Sequence, residues 1–357
     1  MAQKDLVIGV FSNYTYDYVK PWIKSIKETG FKGDVVLYGI DIHGDTIDQI
    51  IKDGVILHLR KSSKEDSRIH MQRFFYIYDY LKENPDYRYV VSTDVRDVIF
   101  QQDPIKFITE SDIRKAIITS GESIRIKDEE WNRNNIITNF GDYFYDEVKD
   151  KEVQNVGILA GTSYYVKDLC FALYQMSLNR PDWVADQAAY NMLVHHEPWT
   201  SIASKCDLQD CWAINAHVTN YDREKEKFAP FLMDVPPVLE NGQIVHGKTK
   251  VPFHIIHQYD RVKEWKKFYE EKYDVKIESQ YTPDDDIIII DDICSNGGTF
   301  LNIGKELSFK YPESKFTTPL ANALAKADTE QDVLNVLGRS MYSNEFAQAA
   351  TPTGALV

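Results

Sequence analysis

The hydrophobic positions of this chain fall into short unbroken runs separated by amphipathic stretches. Residues 6–12 (LVIGVFS), 34–40 (DVVLYGI), 54–59 (GVILHL) and 87–92 (YRYVVS) are apolar runs of strand length. Such runs mark strands covered on both faces. Between them the period changes. Residues 18–29 put Trp22, Ile23 and Ile26 on one side of a helix, 45–52 carry a shorter helical pattern, and 68–82 form a helix rich in aromatics. Gly30 and Gly33 punctuate the first return to strand. Strands alternating with helices predict an α/β fold with a mainly parallel sheet flanked by helices.

The second half is less regular. Residues 120–155 are polar and aromatic, and predict an excursion over a cleft. Strand character returns at 155–166. Helical patterns follow at 166–179 and 182–196, and 252–273 reads as a strand, a turn and a charged helix. Further on, PDDDIIIIDDICSNGGTF (283–300) is a purely apolar strand running into two acids and a glycine-bearing loop, with a helix-like segment at 301–309. A strand, a small turn and a helix N-terminus have the form of a phosphate cradle. From about 317 the chain is rich in Ala and Thr. Three segments result: a large α/β domain over 1–275, a small strand-loop-helix α/β fragment over 282–316, and a tail over 317–357.

One run breaks the pattern. In VVSTDVRDVIFQQDP (90–104) a strand leads straight into Asp94 and Asp97, with Arg96 between them, before Val98, Ile99 and Phe100 resume the apolar run. An ionised carboxylate at a buried strand end is costly unless something positive meets it. Arg96, Arg73, a metal ion or a solvent-filled cleft would each answer. Ligands of parallel α/β sheets bind beyond the carboxyl ends of the strands, and these acids lie at such an end.

Charge and composition narrow the classes. A net charge of −14 weighs against a broad grip on a nucleic-acid backbone and leaves only a local basic groove. Cys170, Cys206, Cys211 and Cys294 complete no zinc pattern, and are expected as reduced thiols of a cytoplasmic protein. No apolar run reaches membrane-spanning length, and the run near residue 1 is too short for a secretory signal. The expectation is a soluble protein with no integral membrane contact.

The order of motifs resembles the retaining, metal-dependent nucleotide-sugar transferases of the glycogenin and lipopolysaccharide-galactosyltransferase type, which have the GT-A fold. Ser12-Asn13-Tyr14-Thr15-Tyr16, after the first strand, is similar to the turn that meets the nucleotide base. Asp94-Val95-Arg96-Asp97 stands where the family has Asp-x-Asp, with Asp103-Pro104 following at the family-like interval. Asn155-Val156-Gly157 and Asp186-Gln187 resemble the acceptor-side and sugar-side motifs. His257, with Lys263 and Trp265 after it, is similar to the His…Lys-Pro-Trp ending. The likeness spans roughly residues 6–270. Two departures stand out: the acids are spaced Asp-x-x-Asp, and Glu264 replaces the proline before Trp265.

The resemblance implies a glycosyltransferase that moves a sugar from a nucleotide-sugar donor, UDP-linked by preference, to a hydroxyl acceptor with retention. The acceptor stays open among a glycan, a lipid-linked saccharide, a protein and a modified base. Asp94, Asp97 and His257 would hold Mn²⁺ or Mg²⁺, since hard carboxylates and one imidazole suit such an ion bridging a diphosphate. Ser12, Asn13, Tyr14, Arg73, Asn155 and Lys263 would bind the donor. Asp186 and Gln187 would be the catalytic pair beside the sugar.

The stretch IIIIDDICSNGGTF is similar to the phosphoribosyl-pyrophosphate (PRPP) loop of phosphoribosyltransferases and ribose-phosphate pyrophosphokinases. The likeness implies that Asp291 and Asp292 hold ribose hydroxyls, and that Ser295, Asn296, Gly297, Gly298 and Thr299 wrap a phosphate. It is either a fused remnant or a working phosphosugar module. Two rivals therefore accompany the transferase reading, a PRPP-binding enzyme and a non-catalytic sugar-nucleotide-binding protein. Plainer readings compete residue by residue: Asp94–Arg96 as a surface ion pair, His257 as a satisfied core histidine, Asp186 as a solvated helix acid.

Overall fold

A computed structural model describes residues 4–62, 69–182, 184–216 and 236–276. The expected fragment at 282–316 and tail at 317–357 lie outside the described residues. So do Asp291, Asp292, Ser295, Asn296, Gly297, Gly298 and Thr299.

Four parallel strands make the first half of the main sheet: β1 (Leu6–Ser12), β2 (Asp34–Ile40), β3 (Ile56–Arg60) and β4 (Tyr89–Thr93), in the order β3-β2-β1-β4. Helices α1 (Tyr16–Glu28), α2 (Gly44–Lys52) and α3 (Ile69–Glu83) are the crossovers. The period of two along each strand divides the core. Val7, Leu37 and Val91 pack with Trp22, Ile23 and Ile26 of α1. Leu6, Ile8, Val36 and Val90 pack on the other face with Phe74, Ile77 and Leu81 of α3. Both faces of β1, β2 and β4 are thus covered, which is why these three read as continuous apolar runs, whereas β3, expected to be covered as well, is the edge strand and leaves Ile56 and Leu59 exposed.

Beyond β4 come β5 (Val98–Phe100), α4 (Pro104–Glu110), β6 (Ile117–Arg125), α5 (Glu130–Phe140), α6 (Asp142–Val148), β7 (Glu152–Gln154) and β8 (Ile158–Thr162). Then follow α7 (Ser163–Ser177), α8 (Ala185–Val194), α9 (Trp199–Ile202), β9 (Ala203–Cys206) and β10 (Ala213–Asn215). The last elements are the hairpin β11 (Val238–Glu240) and β12 (Gln243–Val245), then β13 (Ile255–His257) and α10 (Lys263–Lys272). The main sheet continues through antiparallel β8 and β6, with β9 parallel to β6. It is a mixed, mostly parallel sheet flanked by helices. A second sheet has the order β10-β13-β5.

The stretch expected to leave the sheet does the opposite at its start. β6 runs through the sheet with every residue but the last buried. Its pattern misleads because Thr119, Ser120, Glu122 and Ser123 are all buried polar groups. Groups from distant strands meet them: Thr119 donates to Gln154, Ser120 Oγ accepts from Asn215, the Ser123 N–H donates to Glu152, and Asn155 donates to one oxygen of Glu122. Buried polar groups are tolerated when so satisfied. The strand expected over 155–166 is also shorter, since α7 already begins at Ser163.

No helix among the described residues is long and apolar enough to cross a membrane.

Candidate functional site

β4 leaves the sheet at Thr93, whose hydroxyl accepts from the Trp22 indole at 2.8 Å. Asp94 comes next, its N–H donating to the Gly157 carbonyl at 2.9 Å. The following turn folds Val95 back over β1, where it is 3 % exposed. A Cβ on Gly9 would lie 2.5 Å from the Val95 side chain, so glycine at that point in β1 lets the acidic turn seat. The apolar Val98–Phe100 segment then pairs antiparallel with β13, placing His257 opposite Val98 and so beside Asp97. The ligand atoms of Asp94, Asp97 and His257 lie within 4.8 Å of one another. His257 Nε2 is 3.4 Å from Asp94 Oδ2 and 3.8 Å from Asp97 Oδ1.

Arg73, not Arg96, answers the charge of Asp94. From α3 its guanidinium donates to Asp94 and, at 2.9 Å, to Asp186 Oδ2 at the start of α8. Arg96 turns to Asp260 at 3.6 Å. Asp186 is no solvated helix acid: it is 1 % exposed, and its Oδ1 is buried with no hydrogen-bond partner among the described residues. Asp97 is buried, and its only ion-pair partner among the described residues is His257. Burial pushes the His257 imidazole below the ordinary histidine range, with Asp97 and Glu122 opposing the shift, so the ring is neutral near pH 7. Asp94 and Asp186 thus share one guanidinium, and Asp97 beside them meets no Lys or Arg among the described residues. Two hard oxygens and one imidazole nitrogen fit a divalent cation such as Mn²⁺ or Mg²⁺.

Gly157 backs this cluster. A Cβ there would lie 2.8 Å from His257 Nε2 and 2.9 Å from Asn155 Oδ1. Gly157→Ala is therefore expected to displace the imidazole and weaken Mn²⁺ binding about 10–100-fold, as loss of ligand orientation does. Titration of Mn²⁺ followed by electron paramagnetic resonance reads this directly, and unchanged affinity would refute it.

The other expected site residues fall in three places. Ser12 and the exposed Asn13 stand at the carboxyl end of β1, next to β4, with the Asn13 N–H donating to Ile40 O at 3.0 Å. Tyr14 is half-buried, its ring against Phe11 and Tyr18. These line the same sheet edge as Asp94. Asn155 and Gln187 are instead spent on the scaffold. Asn155 donates to Glu122 at 2.6 Å and accepts from the Gly157 N–H at 2.7 Å. Gln187 accepts from the Val156 N–H and donates to Gln154 O and Asn132 Oδ1, tying α8 to β7 and α5. Lys263 is exposed at the start of α10, alongside Lys266 and Lys267.

Glu122 is the group that the sequence did not single out. It is 4 % exposed, its Oε2 has no hydrogen-bond partner among the described residues, and burial together with Glu129 raises its pKa from an ordinary 4.5 to about 7. Between those two values the native state keeps a proton that the unfolded chain has released. Stability therefore falls as pH rises through that window. Glu122→Gln keeps the acceptor for Asn155 and removes the buried charge. It is expected to match the wild type in acid and to exceed it by up to about 3 kcal/mol above neutrality. Glu152, also raised to about 7, contributes its own slope to both proteins. Urea denaturation at several pH values in chelator would show parallel curves if Glu122 carried no such burden.

No protein-family model matches this chain, and no curated protein matches it.

Proposed function

We propose that this protein is a metal-dependent glycosyltransferase that takes a sugar from a nucleotide donor, UDP-linked, and passes it to a hydroxyl acceptor. One observation carries the reading: Asp94, Asp97 and His257 converge at the carboxyl end of β4, and Arg73 ties Asp186 to the same cluster. The parallel half of the sheet, with an acidic turn at its carboxyl edge beside Ser12 and Asn13, supports a GT-A fold.

In this reading Asp94, Asp97 and His257 hold Mn²⁺ or Mg²⁺. The ion supplies charge neutralisation at the diphosphate leaving group. Ser12, Asn13 and Tyr14 receive the base. Asp186 offers its unpartnered Oδ1 to the sugar, accepting a hydroxyl or steadying positive charge at the anomeric carbon, while Arg73 keeps its other oxygen fixed. Asn155 and Gln187 hold the wall behind the site. With retention, the departing phosphate oxygen takes the acceptor proton. The free, buried thiols of Cys170, Cys206 and Cys211 support a reducing, cytoplasmic setting.

Donor hydrolysis by the purified full chain tests this. UDP-, GDP- and CMP-sugars and PRPP are supplied with and without Mn²⁺, beside Asp97→Ala. Metal-dependent nucleotide release from one sugar nucleotide, lost in Asp97→Ala, is the expected result. Turnover of PRPP alone would overturn it in favour of the segment at 291–299. Binding of a sugar nucleotide without turnover, with or without acceptor hydroxyls, would favour a binding protein.

A further inference from the structure

The ring of His257 has two nitrogens, and its neighbour on β10 decides which one carries the proton. β10 and β13 pair in parallel with Asn215 opposite His257, and both side chains are buried. The Asn215 Nδ2 lies 2.8 Å from Ser120 Oγ, 3.0 Å from Gly121 O and 3.4 Å from Ser120 O. The two backbone carbonyls accept only, so the nitrogen of the amide must be on that side. Its Oδ1 is then the atom 2.8 Å from His257 Nδ1. A carbonyl oxygen cannot donate, so Nδ1 carries the hydrogen.

The consequence falls on the other side of the ring. With the hydrogen held on Nδ1 by Asn215, Nε2 is the nitrogen left to turn a lone pair toward Asp94 Oδ2 and Asp97 Oδ1. Three acceptors then face one another, an arrangement that favours a cation between them. The opposite tautomer would donate Nε2–H to the two carboxylates and fill that place itself. We infer that Asn215 is a positioning residue of the candidate metal centre: anchored on Ser120 and Gly121, it holds His257 as the Nδ1–H tautomer, so that Nε2 is presented to a divalent cation. The inference rests on the reading of Asp94, Asp97 and His257 as a metal set. It also gives the buried polar residues of β6 a task, since that strand supplies the anchor.

Two measurements test it. The first is nitrogen-15 NMR of histidine-labelled, metal-free full chain above the ordinary histidine pKa, with His257→Gln to assign the signal. The expected spectrum has His257 Nδ1 protonated and Nε2 bare. The second is Mn²⁺ binding, read from the free-ion paramagnetic resonance signal. Asn215→Leu, which removes the acceptor at similar volume, is expected to bind about 10–100-fold more weakly. An Nε2–H ring in the wild type, or undiminished Mn²⁺ affinity in Asn215→Leu, would overturn the inference alone. Failure of the wild type to bind Mn²⁺ or Mg²⁺ would overturn the metal reading and the inference together. If Asn215→Leu does not fold, the wild-type tautomer decides.

Discussion

Asp97→Asn is expected to lower metal-dependent donor turnover roughly 10²–10³-fold, the usual scale for loss of one preorganised electrostatic group, while leaving the protein folded. The substitution is isosteric and removes only charge. Asp97 is 8 % exposed, and no Lys or Arg lies in ion-pair reach of it among the described residues. Its charge is therefore a burden on the fold that only a bound cation would offset. Activity and stability should move in opposite directions. Metal-free Asp97→Asn should unfold at the same or higher urea concentration than the wild type, while its Mn²⁺ titration shows a weaker site. A variant that kept full turnover would sink the role of Asp97. One that lost turnover only by unfolding would make Asp97 a structural residue.

Arg73→Met should do the reverse to the fold, destabilising it by about 3–5 kcal/mol, the cost of breaking a buried pair by removing one partner. The Asp186 side chain is 2 % exposed and that of Arg73 13 %, so water cannot take over the missing contact. Met retains the apolar stem and isolates the loss of the guanidinium. Asp186→Asn, added to Arg73→Met, should recover a substantial part of the stability, since the buried charge is then gone and Asp94, its side chain 31 % exposed, keeps access to water. This double-mutant cycle is measured by urea denaturation of the four proteins. Additive effects would mean that the two side chains are not energetically coupled. In the proposed reading turnover should be lost in both single variants, because Arg73 joins Asp94, assigned to the metal, to Asp186, assigned to the sugar.

The first half of the fold was legible because its physics is local. β1 and β2 coincide with the apolar runs at 6–12 and 34–40, and α1 and α2 begin within two residues of the expected starts. A strand covered on both faces must be apolar throughout, and a helix on a sheet must carry an apolar stripe, so each declares itself without its partners. β6 could not declare itself. Its buried Thr119, Ser120, Glu122 and Ser123 read as surface until Gln154, Glu152 and Asn155 are set against them.

The same division runs through the site. The sequence alone determined that two acids end a buried strand, and that His257 is followed by Lys263 and Trp265 at a telling spacing. Periodicity suffices for the acids, while the spacing after His257 speaks only through the family it resembles. Only the tertiary structure decided who meets whom: Arg73 with Asp186 across 113 residues, and His257 with Asn215 across 42. It turned Arg96 away from Asp94, committed Asn155 and Gln187 to the wall, and buried Glu122 behind them. The reason is that periodicity reports whether a side chain is covered. Charge, tautomer and proton affinity depend on which atoms cover it, and those atoms come from strands far apart in the chain.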